Sequence, residues 1–234
     1  MGRRRHQSDV ISVYLLSVAT YASYLWRNQG GSLKTCWCVE AFFKACPCLA
    51  LAVGAGAGAG AGTSKAKASA LAFALSAAGD AFLCHNDHKN SDISFVLGLA
   101  AFLAAQWCYV FCFTRESGGG PSQAQATLCF AYAGSLYAYL YNGLDSALAL
   151  PVLLYCVSIA TTMASSLAAH PGSNASSSSW ILGVCGAALF VVSDSCLALT
   201  MFVGDHVVPH RRVVIMGTYF AAQLCLSNAF AANE

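Results

Sequence analysis

Two carboxylates stand where a membrane helix would carry none. Asp80 lies in Leu75-Ser76-Ala77-Ala78-Gly79-Asp80-Ala81-Phe82-Leu83 and Asp194 in Ala188-Leu189-Phe190-Val191-Val192-Ser193-Asp194-Ser195, both runs of apolar or small residues. An ionisable group at hydrocarbon depth costs roughly 2.5 kcal/mol or more, so it marks a proton, ion or substrate site and calls for a partner. Each aspartate follows a small residue, Gly79 or Ser193, that lets a neighbouring backbone or a ligand come close.

The remaining chemistry-bearing side chains in apolar runs are few. Lys44 follows Glu40 at the i,i+4 spacing that favours an ion pair, and Pro47 three residues on opens the backbone locally. Read without that proline, Lys44 is a lysine snorkelling to the membrane surface. Gln106 and Tyr109 are the strongly polar residues of their segment, and Tyr219 and Gln223 lie one turn apart in theirs. Tyr132, Tyr137, Tyr139 and Tyr141 read equally as an interfacial aromatic belt or a substrate wall.

Composition determines what holds these groups. The chain is 57% hydrophobic and 9% charged with a mean hydropathy of +0.58, against about 25% charged residues in soluble domains. That is an integral membrane protein, all-α, with room for one helical bundle over residues 1–234 and none for a sizeable soluble domain. A formal charge of +2 with dispersed basic residues gives no reason to expect a nucleic-acid partner.

Hydropathy predicts about eight spans, at residues 10–26, 36–53, 68–84, 93–113, 124–141, 147–169, 180–203 and 213–231. Two low-complexity stretches interrupt them as loops, an alternating Gly/Ala tract running into residues near 54–67 and a serine-rich segment near 170–179. The latter contains the sequon Asn174-Ala175-Ser176. Lysine and arginine divide almost evenly between the two sides, and only the Arg3-Arg4-Arg5 triplet favours termini in the cytosol. With helices alternating in direction at 1.5 Å per residue, Asp80, Asp194, Lys44, Tyr219 and Gln223 are expected in one half of the membrane, within roughly 15 Å of one face. Gln106 and Tyr109 lie deeper.

Neither a metal nor another cofactor is expected. His85 and His88 have ligand spacing, but they fall in a polar segment read as a loop, 85–92, and no third His or Cys ligand is placed with them. Most of the twelve cysteines sit in apolar runs as small fillers, and Cys36-Trp37-Cys38 and Cys46-Pro47-Cys48 lack the two-residue spacing of a zinc knuckle or redox site.

Four stretches in order carry a resemblance. Phe43-Lys44-Ala45-Cys46-Pro47, Ser76-Ala77-Ala78-Gly79-Asp80-Ala81-Phe82-Leu83, Gly186-Ala187-Ala188-Leu189-Phe190-Val191-Val192-Ser193-Asp194 and Met216-Gly217-Thr218-Tyr219-Phe220-Ala221-Ala222-Gln223 look like the motifs of the YhhN family of lysoplasmalogenases. Where members of that family often show His-x-x-Tyr, this chain has Gln106-Trp107-Cys108-Tyr109. Glutamine hydrogen-bonds but carries no proton at neutral pH. Position 106 is therefore where altered rate or substrate preference is expected.

The resemblance implies hydrolysis of the vinyl ether bond of a lysoplasmalogen to a fatty aldehyde and glycerophosphocholine or glycerophosphoethanolamine. It implies a lysophospholipid substrate drawn from membrane lipid and, for a eukaryotic member, an endoplasmic reticulum membrane. Such an ether opens after protonation of its β-carbon, giving an oxocarbenium ion that water captures, so it needs one carboxylic acid and one carboxylate. Asp80 and Asp194 are the expected pair, kept in opposite protonation states by burial and mutual repulsion, as in glycosidases. Lys44 is a candidate for the phosphate. Tyr219 and Gln223 are candidates for orienting the ether oxygen or water, with Tyr109 and Gln106 as further substrate-binding residues. A transporter or lipid-binding protein would use the same intramembrane Asp and Lys without hydrolysis. An intramembrane aspartyl protease fits less well, since the Pro-Ala-Leu motif of those enzymes is missing.

Overall fold

The computed structural model describes residues 2–28, 36–58, 60–89, 91–117, 119–169 and 177–231, and their regular structure is entirely helical. Eight α-helices follow in order: α1 (Gly2–Asn28), α2 (Trp37–Ala57), α3 (Ser64–Lys89), α4 (Asp92–Glu116), α5 (Gln123–Leu140), α6 (Ser146–Ala168), α7 (Ser177–Phe202) and α8 (Arg211–Ala231). Six of them, α2, α3, α4, α6, α7 and α8, are long and apolar enough to cross a membrane. The sequon at 174–176 lies outside the described residues.

Helices α1 and α5 fall short of that hydropathy because hydroxyl groups dilute it and, in α5, Gln123 and Gln125 do so further. In α1, Ser12, Ser17, Thr20 and Ser23 each donate to the carbonyl four residues earlier at 2.7–2.8 Å. Ser135 of α5 donates to Ala131 O in the same way at 2.8 Å. These bonds satisfy the hydroxyls within the helix itself. Start of α5 is fixed by a reciprocal cap: Gln125 N–H donates to Ser122 Oγ at 3.3 Å while Ser122 N–H donates to Gln125 Oε1 at 2.9 Å.

Most helices outrun their hydropathic cores. Helix α3 begins at Ser64 and ends at Lys89, so Lys65, Lys67, His85, Asp87 and His88 ride on helical turns and not on loops. Good helix formers such as Lys and Ala continue the hydrogen-bond ladder past the apolar stretch, where hydropathy registers only the change in polarity. The Gly/Ala tract likewise stays helical to Ala57, and the chain reverses through Ala61 N–H to Gly58 O and Thr63 N–H to Gly60 O. Thr63 then caps α3, accepting from Ala66 N–H at 3.1 Å.

Two compact units divide the chain, residues 1–105 and 106–234, the division falling inside α4. In the first, α2 packs against both α1 and α3. A Cβ on Gly54 would sit 2.5 Å from Val10, so the glycine tract lets α1 close on α2. In the second, α7 packs along α8, and α6 packs between α5 and α7. Large apolar side chains such as Val53, Leu128, Leu150, Ile181 and Val213 point outward, while Asp80, Gln106 and Gln223 are enclosed. That inversion of the soluble pattern suits a hydrocarbon solvent.

Candidate functional site

Helices α2 and α3 run antiparallel and face each other at one-turn intervals, residues 40, 44 and 48 of α2 opposing the column 88, 84 and 80 of α3. Lys44 Nζ lies 3.7 Å from Asp80 Oδ1, and the Cys48 thiol donates to Asp80 Oδ2 at 3.8 Å. Asp80 is 2% exposed. A cation beside so enclosed a carboxylate offsets much of its desolvation cost. Gly79 does not open room for a ligand: a Cβ there would lie 2.5 Å from the Phe102 ring of α4, so the glycine admits an aromatic packing partner. Ser76 is fully buried on the turn before Asp80.

One turn toward the membrane face, the expected Glu40 to Lys44 pair is replaced by contacts between helices. Glu40 Oε2 meets His88 Nε2 at 2.8 Å, leaving Lys44 to Asp80. Antiparallel packing brings opposite charges on two helices closer than the i,i+4 pair on one. His85 turns to Ser94 Oγ at 2.8 Å and sets its ring edge-on to Trp37 at 4.7 Å.

The second unit holds Asp194, Gln106, Tyr109, Tyr219 and Gln223. Tyr109 donates its hydroxyl to Gln223 Oε1 at 2.7 Å, both side chains being fully enclosed. Phe190 stands 6.3 Å from the Tyr109 ring and 5.6 Å from the Tyr219 ring, so one phenylalanine separates the two phenols. Asp194 accepts from the Tyr155 hydroxyl of α6 at 2.5 Å, and the Gln106 side chain lies near that hydroxyl without closing a hydrogen bond to it. Tyr155 escaped the sequence reading. Pro151, four residues earlier, removes a backbone donor from α6 on the same face but does not point to the carboxylate. Ser193 donates to Ile215 O at 3.0 Å, a clasp between α7 and α8 and not a space for a ligand.

Two amide nitrogens complete this unit. Nε2 of Gln106 and Nε2 of Gln223 are buried without a hydrogen-bond partner, although their residues are only 1% and 0% exposed. A buried donor left unsatisfied costs about 1–3 kcal/mol, so these two groups suit a polar guest, water or a ligand oxygen. Of the four tyrosines of the α5 region, Tyr132 bonds Ser195 Oγ at 2.9 Å and Tyr137 donates to Ala149 O at 3.1 Å. Tyr139 and Tyr141 point outward. None of the twelve cysteines forms a disulfide.

Helices with lipid-soluble exteriors enclosing an ion pair, a carboxylate–phenol pair and unsatisfied amides define a multi-pass membrane protein with polar interior sites. Its residues 39–230 match the YhhN family, and the chain belongs to that family. Over 153 residues it is 33% identical to the rat protein named Lysoplasmalogenase TMEM86B, the match covering 65% of this chain and 56% of the rat protein. The mouse protein of that name is 35% identical over 152 residues, covering 64% of this chain and 58% of its own. Bovine Lysoplasmalogenase TMEM86A is 31% identical over 156 residues, with 65% and 60% covered. The match thus spans little more than half the length of these relatives. No solved structure matches the chain.

Proposed function

We propose that this protein hydrolyses the alkenyl ether bond of lysoplasmalogens. The observation that carries the reading is the enclosed Asp80 held against Lys44, in a chain whose relatives are named for that reaction. Support for a second carboxylate comes from Asp194, which accepts from the Tyr155 phenol.

Each step draws on these groups. A carboxylic acid delivers a proton to the β-carbon of the vinyl ether, and the C=C electron pair forms the new C–H bond. The resulting oxocarbenium ion is stabilised by a carboxylate, which then takes a proton from the water attacking the α-carbon. Collapse of the hemiacetal breaks the bond between that carbon and the glycerol oxygen, releasing aldehyde and glycerophospho-alcohol, with one water consumed overall. Asp80 and Asp194 are assigned as the acid and base pair, Asp80 beside Lys44 and Asp194 beside Tyr155. Lys44 also supplies a charge complementary to the substrate phosphate. Tyr109, Tyr219, Gln223 and Gln106 are assigned to binding the ether oxygen, water or glycerol hydroxyl, the two unsatisfied amides being the donors available for it. An endoplasmic reticulum location accompanies this reading and is checked by imaging the tagged protein against a marker of that membrane.

The test is fatty-aldehyde release from an alkenyl lysophospholipid by the purified full chain in detergent. Wild type should release aldehyde, and Asp80→Asn or Asp194→Asn should lower the rate about a hundredfold or more while the protein stays folded. Full activity in both variants sinks the mechanism. No aldehyde from well-folded wild type sinks the hydrolase reading and favours lipid binding or transport.

A further inference from the structure

We infer that Glu40, Cys84 and His88 form a binding site for a divalent cation of the zinc class where α2 and α3 meet the membrane face. Their ligand atoms, one from each side chain, all lie within 4.8 Å of one another. Cys84 and His88 are one turn apart on α3, and Glu40 reaches them from α2. The set keeps His88 of the two histidines weighed in the sequence, leaves His85 on Ser94, and adds Cys84, which a helical turn puts on the same face as residue 88 and a loop over 85–92 does not.

The donor set and its surroundings agree with the ion. Four-coordinate zinc holds S, N and O donors at about 2.0–2.3 Å, which places neighbouring ligand atoms roughly 3.3–3.8 Å apart. To reach that spacing the Cys84 thiol gives up its bond to Trp37 O at 3.6 Å while Glu40 and His88 turn toward it. The Glu40 and His88 side chains are 20% and 31% exposed and have room to do so. A thiolate, an imidazole and one carboxylate favour zinc over magnesium or calcium, which take oxygen ligands. Charge points the same way: Glu40, Asp80 and Asp87 all act electrostatically on Cys84, against Lys44 as the one cation among the influences on it. A divalent ion balances that surplus. Three protein ligands leave a fourth position for water, and the ion staples the end of α3 to α2 one turn from Lys44 and Asp80. Metal binding here stands or falls independently of ether hydrolysis.

The experiment is a cobalt(II) titration of the purified full chain after chelator treatment, followed by the visible bands of four-coordinate cobalt and the near-ultraviolet thiolate-to-cobalt band. Wild type should bind one equivalent at micromolar concentration with both signals, and zinc should displace it. Cys84→Ser should abolish the thiolate band. His88→Gln, a change on a partly exposed surface that spares the core, should weaken binding at least tenfold, whereas Cys36→Ser should leave the titration unchanged. Failure of wild type to bind cobalt, or a titration unaltered in both Cys84→Ser and His88→Gln, overturns the site.

Discussion

Tyr155 of α6 donates its hydroxyl to Asp194 of α7 at 2.5 Å, tying the carboxylate to one orientation by a bond between two helices. Removing that hydroxyl leaves the carboxylate in place but takes away this contact between the two helices. A hydrogen bond to a charged group is worth about 1.5–3 kcal/mol, so Tyr155→Phe should lower kcat for aldehyde release by about tenfold to a hundredfold. KM should change little, because the phenol acts on the carboxylate and not on the lipid. An equal loss through KM alone would assign Tyr155 to substrate binding.

Lys44 and Asp80 form the complementary case, a cation and an anion 3.7 Å apart inside the first unit. Removing the cation of an enclosed ion pair takes from the carboxylate the charge opposite it, at a cost of roughly 3–5 kcal/mol. Lys44→Met should therefore depress the thermal unfolding midpoint in detergent strongly. Adding Asp80→Asn should recover part of the loss, since it removes the stranded charge. Additive losses in the double variant would show that the two do not interact.

Gly79 is a packing residue by geometry. Alanine there would drive its Cβ to 2.5 Å from the Phe102 ring, and overpacking of this kind costs about 1–3 kcal/mol. The expectation is a lowered unfolding midpoint for Gly79→Ala, partly restored by Phe102→Leu. An unchanged midpoint for the single variant would mean that α3 and α4 separate more easily than their packing implies.

Cys36 stands just before α2, exposed, and the backbone N–H of Cys38 followed by the Cys38 thiol holds its pKa below the ordinary thiol value. Only the thiolate is nucleophilic, and its fraction rises as pH climbs through the pKa. Labelling of Cys36 by a membrane-impermeant maleimide should thus reach half its maximal rate at a lower pH than an unperturbed thiol. Mass spectrometry after timed pulses reads the rate, and the side of sealed vesicles that labels gives the orientation of α2. Half-maximal labelling at or above the ordinary thiol value contradicts the assignment.

Gln106 is enclosed, and its Nε2 has no hydrogen-bond partner. Histidine at this position brings a titratable proton beside Tyr155 and removes the unsatisfied amide. Gln106→His should raise the rate of aldehyde release, assayed as above across pH. A fall in rate would mean that the glutamine amide itself is the useful donor.

Much of this arrangement was readable from residue order, and the remainder was not, for one physical reason. Hydropathy and helical periodicity give each residue its helix and its face. They identify eight helices and set Asp80 inside an apolar one, where it is enclosed, whereas Lys44, which reads first as a lysine snorkelling to the surface, is half-buried beside it. Periodicity does not name the neighbour on the next helix. Glu40 was therefore assigned to Lys44 four residues along, when α3 supplies His88 instead. Tyr155 was passed over because one tyrosine among ten in an apolar chain carries no local mark of the carboxylate it meets. Helix ends were misplaced wherever polar residues prolong a helix beyond the hydrocarbon, and the same error hid Cys84 from His88.

The self-satisfied hydroxyls of α1 bear on how the chain enters its membrane. Each Ser or Thr bonded to its own helix lowers the penalty of immersion without adding any drive toward lipid, so α1 has a weaker drive into the bilayer than the six apolar spans. Helix α2 is decisively apolar, and Gly54 gives α1 a groove against it, with Val10 seated there and His6 on the Gly54 carbonyl at 3.3 Å. A helix with that weaker drive is expected to enter the bilayer together with α2, as one arm of a hairpin. Crowding that groove at residue 54 would act on the biogenesis of the protein as much as on its finished structure.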